Sequence, residues 1–141
     1  MVDLLAEARR DLVRLGPHAA RAALGAGALL VDTRQERDRQ RDGAVPGSLP
    51  IPRTVLEWAV DPASGCPNPA IGGFDRQLIV MCNEGFSSSL AAANLRRLGF
   101  DRATDLVGGF AAWRAAGLPV QPPQATPGGI DGRGPAEPGE P

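Results

Sequence analysis

The stretch "QLIVMCNEGFSSSLAAANLRRLGF", residues 77–100, decides the fold. It opens with Leu78-Ile79-Val80-Met81, a continuous apolar run of the kind found in a strand covered on both faces. Leu90, Ala91, Leu95 and Leu98 then recur at helical spacing, and Gly99 follows as a helix stop. Between strand and helix lies a short polar loop that begins with Cys82. A cysteine kept for packing would sit inside the apolar run, whereas this one sits at its exit.

The elements around that stretch repeat the strand-then-helix pattern. "ALLVD" is an apolar run ending at Asp32, and "RQERDRQRDG" after it alternates charge sign as a solvated turn or short helix does. "GAVPGSLPIP" has room for a short strand around Ser48–Ile51. "RTVLEWAVD" fits a short helix, "ATDLV" a short strand, and "GGFAAWRAAG" a helix closed by Gly117 and Pro119. Upstream, Leu4, Leu5, Ala8, Leu12 and Leu15 predict one helix over 3–15, and "PHAARAALGAG" a second, with Pro17 in its first turn. Alternation of this kind predicts an α/β fold with a mostly parallel central sheet flanked by helices. The expected organisation is a helical extension over 1–16, a domain over 17–120, and a disordered tail over 121–141. Seven of the fourteen prolines lie from Gly117 onward, where no helical or alternating period survives.

Composition excludes several classes of function. The net charge of −1 over 141 residues gives no global attraction to nucleic acid or anionic lipid. No apolar run approaches the roughly 18–20 residues of a membrane span. Two cysteines, Cys66 and Cys82, are too few for a disulfide framework, and the single histidine, His18, leaves no metal-ligand cluster. No phosphate-loop or dinucleotide fingerprint is present, so no cofactor is predicted. The expected location is a reducing cytoplasm, and the Arg-only, Ala-rich composition suits a bacterial genome of high GC content.

In a parallel sheet, function collects at the carboxyl ends of the strands, here Asp32-Thr33-Arg34 and Cys82. If Cys82 ends a strand and Ser87 or Ser88 begins a helix, the loop curls over free N–H groups at the helix start. Such a cradle suits a thiolate, or a sulfur attached to it, and takes a cysteine pKa from ~8.5 toward about 3.5–7.5. Gly85 allows positive φ, while the hydroxyls of Ser87, Ser88 and Ser89 provide caps and donors. The plain alternative is an inert, buried cysteine.

Four landmarks resemble the single-domain rhodanese (sulfurtransferase) family, in the family's order and across roughly residues 17–120. "LLVDTR" (29–34) resembles the family's strand ending in Asp-x-Arg. "GAVPGSLPIP" (43–52) resembles its Gly-His-Ile-Pro-Gly-Ala segment, with Ala44 in place of the histidine. "IVMCNEGFSSSLAAANLRRLGF" resembles the active-site strand, loop and helix. "DLVGGFAAWRAAGLPV" (105–120) resembles the closing Gly-Gly-x-x-x-Trp-x-x-x-Gly-x-Pro signature. The resemblance implies that Cys82 takes sulfane sulfur from a donor as a persulfide and passes it to a thiol acceptor, either being a small molecule or a protein. It also implies that Asn83, Glu84, Gly85, Phe86, Ser87 and Ser88 form the loop around the persulfide.

The usual loop arginines are absent, and the loop's one formal charge is Glu84. Two unit charges about 4 Å apart repel by roughly 4 kcal/mol at an effective ε of 20. Glu84 is therefore expected to raise the Cys82 pKa somewhat and to weaken use of the thiosulfate dianion. The rhodanese layout implies that residues 51–62 lie near the active-site rim, which makes Arg53 a candidate to compensate or to pair with Glu84 and Trp58 a candidate to wall the pocket; the plain reading, a solvated Arg53 and a core Trp58, comes first. Asp32 and Arg34 fit an internal ion pair first and a substrate-orienting pair second. A non-catalytic, partner-binding rhodanese-like module is the competing class. A cysteine phosphatase or arsenate reductase is disfavoured, because an oxyanion transition state would lack a bidentate arginine in the loop.

Overall fold

The computed structural model describes residues 1–123, so the expected tail lies outside the described residues except at its first positions. Four strands form one parallel sheet in the order β2-β1-β3-β4: β1 (Leu29–Asp32), β2 (Leu49–Pro50), β3 (Leu78–Met81) and β4 (Thr104–Asp105). Among the described residues six α-helices surround it: α1 (Val2–Arg9), α2 (Pro17–Gly25), α3 (Glu36–Asp42), α4 (Leu56–Val60, entered through a short 3-10 turn over Arg53–Val55), α5 (Ser87–Leu98) and α6 (Gly109–Ala115).

Period-two alternation along the central strands divides the interior. Val31, Leu78 and Val80 face a cluster with Leu56, Leu95 and Phe100. Leu30, Ile79 and Met81 face the opposite cluster, with Ala20, Leu106, Phe110 and Trp113. All four β3 side chains are buried, and each such burial contributes about 1.5–3 kcal/mol. Helices on both faces explain why this strand is apolar without interruption. Trp113 is tied down as well, its indole N–H donating to the Pro119 carbonyl at 2.8 Å.

Two boundaries differ from expectation. The first helix stops at Arg9, and residues 10–15 leave it in a turn and then run extended. Leu15 forms a parallel bridge to Leu106, the Leu15 amide donates to the Asp105 carbonyl at 3.1 Å, and the Val107 amide donates to the Leu15 carbonyl at 2.8 Å. The Leu12/Leu15 spacing fits a helix, but here it serves an extended segment with Leu12 buried and Val13 exposed; main-chain pairing beside β4 overrides local propensity. At the other end the ordered contacts reach Gln121, which exchanges two main-chain hydrogen bonds with Ala44 at 2.7 and 3.0 Å. Among the described residues no helix is long and apolar enough to cross a membrane.

The chain leaves β1 toward β2 on one side and returns to β3 on the other. The loops after β1 and β3 therefore part at a topological switch point, where open α/β sheets form their clefts.

Candidate active site

A cleft of ≈ 430 Å³ opens at that switch point. Thr33 and Arg34 line it from the β1 end, Asp38 from α3, and Cys82, Glu84 and Ser87 from the β3 side. Cys82 is 8% exposed, so its sulfur is covered yet reachable from the cleft.

The loop is held from two directions. The Gly85 amide donates to Cys82 Sγ at 3.1 Å. Behind it, the Phe110 and Ala111 amides at the start of α6 donate to the Cys82 and Asn83 carbonyls at 2.9 and 3.0 Å. Close packing makes the Gly108-Gly109 pair necessary: a Cβ on Gly109 would stand 2.5 Å from the Cys82 carbonyl oxygen. Gly109 also has φ +62°, which disfavours any side chain.

Opposing effects set the Cys82 pKa. Burial pushes the thiol up, but the Ser88 and Ser87 hydroxyls and the Ser88 and Gly85 amides outweigh it, and the pKa falls below the ordinary thiol value. The expected upward push from Glu84 does not decide the outcome. Glu84 is exposed at the rim, where water screens its charge, whereas the donors touch the sulfur. The Ser88 hydroxyl has one proton and two neighbours, since it also donates to Asp105 Oδ2 at 2.8 Å. Asp105 is satisfied in addition by the Ser89 hydroxyl at 2.7 Å and by Arg14 Nε at 2.8 Å. Ser88 is thus free to turn its proton toward a thiolate without leaving the carboxylate bare.

The other candidate residues divide. Asp32 and Arg34 form a buried ion pair at 2.9 Å, and Arg34 Nη2 also donates to the Gly43 carbonyl at 2.8 Å. The Arg34 guanidinium lies over the Phe110 ring at 3.9 Å. Its main work is to fix the loop after β1, although it also borders the cleft. Arg53 is engaged elsewhere, pairing with Glu57 at 2.8 Å, and Glu57 also accepts from Asn94. Neither Arg53 nor Trp58 is among the residues around the cleft, and Trp58 is 63% exposed on α4. Asn83, Glu84, Phe86 and Ser87 are all exposed at the rim. Cys66 is exposed in the 62–73 loop as a free thiol.

Sequence reasoning missed Asp38, read there as part of a wet face, and it missed Asp105, Arg9 and Arg14. Asp105 did leave a signal: a carboxylate inside a short apolar strand has to find partners.

A parallel α/β domain that delivers a thiol from a strand end into an amide-lined loop over a helix start belongs to the cysteine-loop class. Within that class, the chain belongs to the rhodanese-like domain family, whose model matches residues 16–116. It is 35% identical over 104 residues to the thiosulfate sulfurtransferase GlpE of Stutzerimonas stutzeri, covering 74% of this chain and 86% of that protein. A sulfurtransferase of Allochromatium vinosum is 31% identical over 96 residues, covering 68% and 80%. Against GlpE of Actinobacillus succinogenes the match, 44% identical, spans 43% of that protein. Among solved structures, a Rhodopseudomonas palustris protein described as of unknown function and a possible tyrosine phosphatase superposes with TM-score 0.77 at 32% identity, covering 84% of this chain and 91% of that one.

Proposed function

We propose that this protein is a sulfurtransferase that carries sulfane sulfur as a persulfide on Cys82. The Cys82 thiolate attacks the sulfane sulfur of a donor. A sulfur–sulfur bond forms, the donor–sulfur bond breaks, and the donor leaves with its electron pair. An acceptor thiolate then attacks the terminal sulfur, which departs on the acceptor and returns Cys82 as thiolate. The observation that carries this function is the Gly85 amide at 3.1 Å from Cys82 Sγ, in a loop whose hydroxyls and amides favour the ionised sulfur. The same donors would hold the terminal sulfur of a persulfide, which is also an anion.

Glu84 borders the cleft with no ion-pair partner among the described residues, whereas Asp38 beside it is paired with Arg41 at 3.2 Å and accepts from the Gln35 amide, so the carboxylate an incoming donor meets is Glu84. Thiosulfate, a dianion, is a weak donor for such a rim; a neutral, cationic or protein-bound persulfide suits it better. A phosphatase reading, suggested for the Rhodopseudomonas relative, meets here a loop with no arginine to bind a phosphoryl transition state bidentately. Intact mass after exposure to polysulfide is the test. A gain of one sulfur atom on wild type and none on Cys82→Ser is expected. An unchanged wild-type mass with every sulfane donor would leave the partner-binding module as the function.

A further inference from the structure

The family match begins at residue 16, yet two side chains from before that point reach the active-site loop. Arg9, the last residue of α1, donates through Nη2 to the Gly85 carbonyl at 2.9 Å and through Nε to Ser89 Oγ at 3.0 Å. Arg14, on the extended segment, donates through Nη2 to the same carbonyl at 3.1 Å while its Nε pairs with Asp105 at 2.8 Å. Two guanidiniums thus grip one carbonyl behind the residue whose amide faces the sulfur.

The peptide plane gives that grip a consequence. In a trans peptide the C=O and the following N–H point in opposite directions. With the Gly85 oxygen held toward the N-terminal segment, the Phe86 N–H is turned to the other side, where Phe86 borders the cleft. Charged donors on a carbonyl also polarise its peptide and strengthen its N–H as a donor. Arg14 is neutralised by Asp105, whereas Arg9 has no carboxylate within ion-pair distance among the described residues, so its positive charge stays beneath the loop.

We infer, resting on the sulfur-transfer function proposed above, that Arg9 and Arg14 are positioning residues of the active site: they hold the Gly85 carbonyl from behind and so aim the loop's amides at a sulfur anion on Cys82. They do from below the loop what an arginine within it would do from inside, and the N-terminal segment is thereby part of the active site.

The test uses the full chain in a Cys66→Ala background, with Arg9→Met, Arg9→Lys and Arg14→Met. Three quantities are read: the pH midpoint of Cys82 alkylation by iodoacetamide, the rate of sulfur loading from polysulfide, and the thermal unfolding midpoint. The charged groups around Cys82 are Arg34, Asp38 and Glu84 at the cleft, with Arg9, Arg14 and Asp105 behind; the variants alter only the rear set. Arg14→Met also strips a buried carboxylate of its partner and can fail to fold, so Arg9→Met is the deciding variant. It is expected to load sulfur about ten-fold more slowly, with the alkylation midpoint raised and unfolding little changed, and Arg9→Lys to recover part of the loss. Arg9→Met with the wild-type midpoint and loading rate would overturn the inference while leaving sulfur transfer intact. A raised midpoint in Arg9→Met, with no sulfur taken up even by wild type, would sustain the positioning role and remove the transferase function instead.

Discussion

Gly85 and Gly108 lie back to back: a Cβ on Gly85 would stand 2.7 Å from the Gly108 amide nitrogen. Gly85 also has φ +88°, in the region side chains rarely adopt. The Cys82 loop and the start of α6 therefore approach as closely as bare backbone permits. Gly85→Ala is expected to cost roughly 1–3 kcal/mol of stability, since strain and clash add at one residue. It should also slow sulfur loading, because the amide displaced is the one that faces Cys82 Sγ. Urea denaturation paired with loading kinetics checks both effects, and wild-type behaviour in either would mean the loop relaxes around a methyl group.

Ser88 links the sulfur to the buried carboxylate. The Cys82 pKa lies below the ordinary thiol value, so alkylation plotted against pH should rise with a lower midpoint than alkylation of the unfolded chain's thiol. Ser88→Ala removes a donor to the thiolate and should move that midpoint upward. The linkage sign follows: a depressed pKa stabilises the fold above the unfolded-state thiol pKa, and that contribution is lost as pH falls through the folded-state value. Ser89 and Arg14 still satisfy Asp105 in the variant, so the loss from the missing hydroxyl stays near ~1 kcal/mol.

Asp105 is fully buried and accepts from Arg14, Ser88 and Ser89. Asp105→Ala leaves three donors without their acceptor and opens a small void. A cost of roughly 3 kcal/mol is expected, the lower end for a broken buried pair, because Arg14 is 19% exposed and regains some hydration. Thermal unfolding measures the cost, and a variant as stable as wild type would show that water replaces the carboxylate.

Why the strand, loop and helix around Cys82 were legible follows from their local signals: an unbroken apolar run, glycine at the turn, and apolar residues at helical spacing. Pro17 likewise opens α2 as expected. The N-terminal segment was not legible, because Leu12 and Leu15 fit a helix as well as an extended strand, and only pairing with distant Leu106 decides between them. Arg9 and Arg14 looked like the solvated face of a helix, since nothing local marks a cation as the partner of a carbonyl far along the chain. The resemblance to the rhodanese layout made Arg53 a pocket candidate beside the plainer solvated reading, but Glu57 lies one helical turn on and captures it.

Arg53→Ala is accordingly expected to leave sulfur loading within about two-fold of wild type and to lower stability by less than ~1 kcal/mol, the usual worth of a solvent-accessible i,i+4 pair. Loading kinetics with thiosulfate and polysulfide decide it. A ten-fold fall with thiosulfate alone would mean that Arg53 leaves Glu57 to meet an anionic donor.

Glu84 is the carboxylate at the cleft mouth that has no ion-pair partner among the described residues. An exposed carboxylate near 4 Å repels a unit charge by about 1 kcal/mol in water, and a dianion by about twice that. Glu84→Gln keeps the shape of the loop and removes the charge, so kcat/KM for thiosulfate should rise roughly 5-fold to 30-fold. The gain should shrink as salt is raised, because screening already weakens the repulsion in wild type. A neutral sulfane donor should show little change, which separates electrostatic exclusion from a general effect on Cys82. Asp38→Asn is expected to change thiosulfate turnover less than Glu84→Gln, because Asp38 is already paired with Arg41 at 3.2 Å and caps α3. If thiosulfate turnover is indifferent to Glu84→Gln at low salt, donor choice is set by the shape of the cleft rather than by its charge.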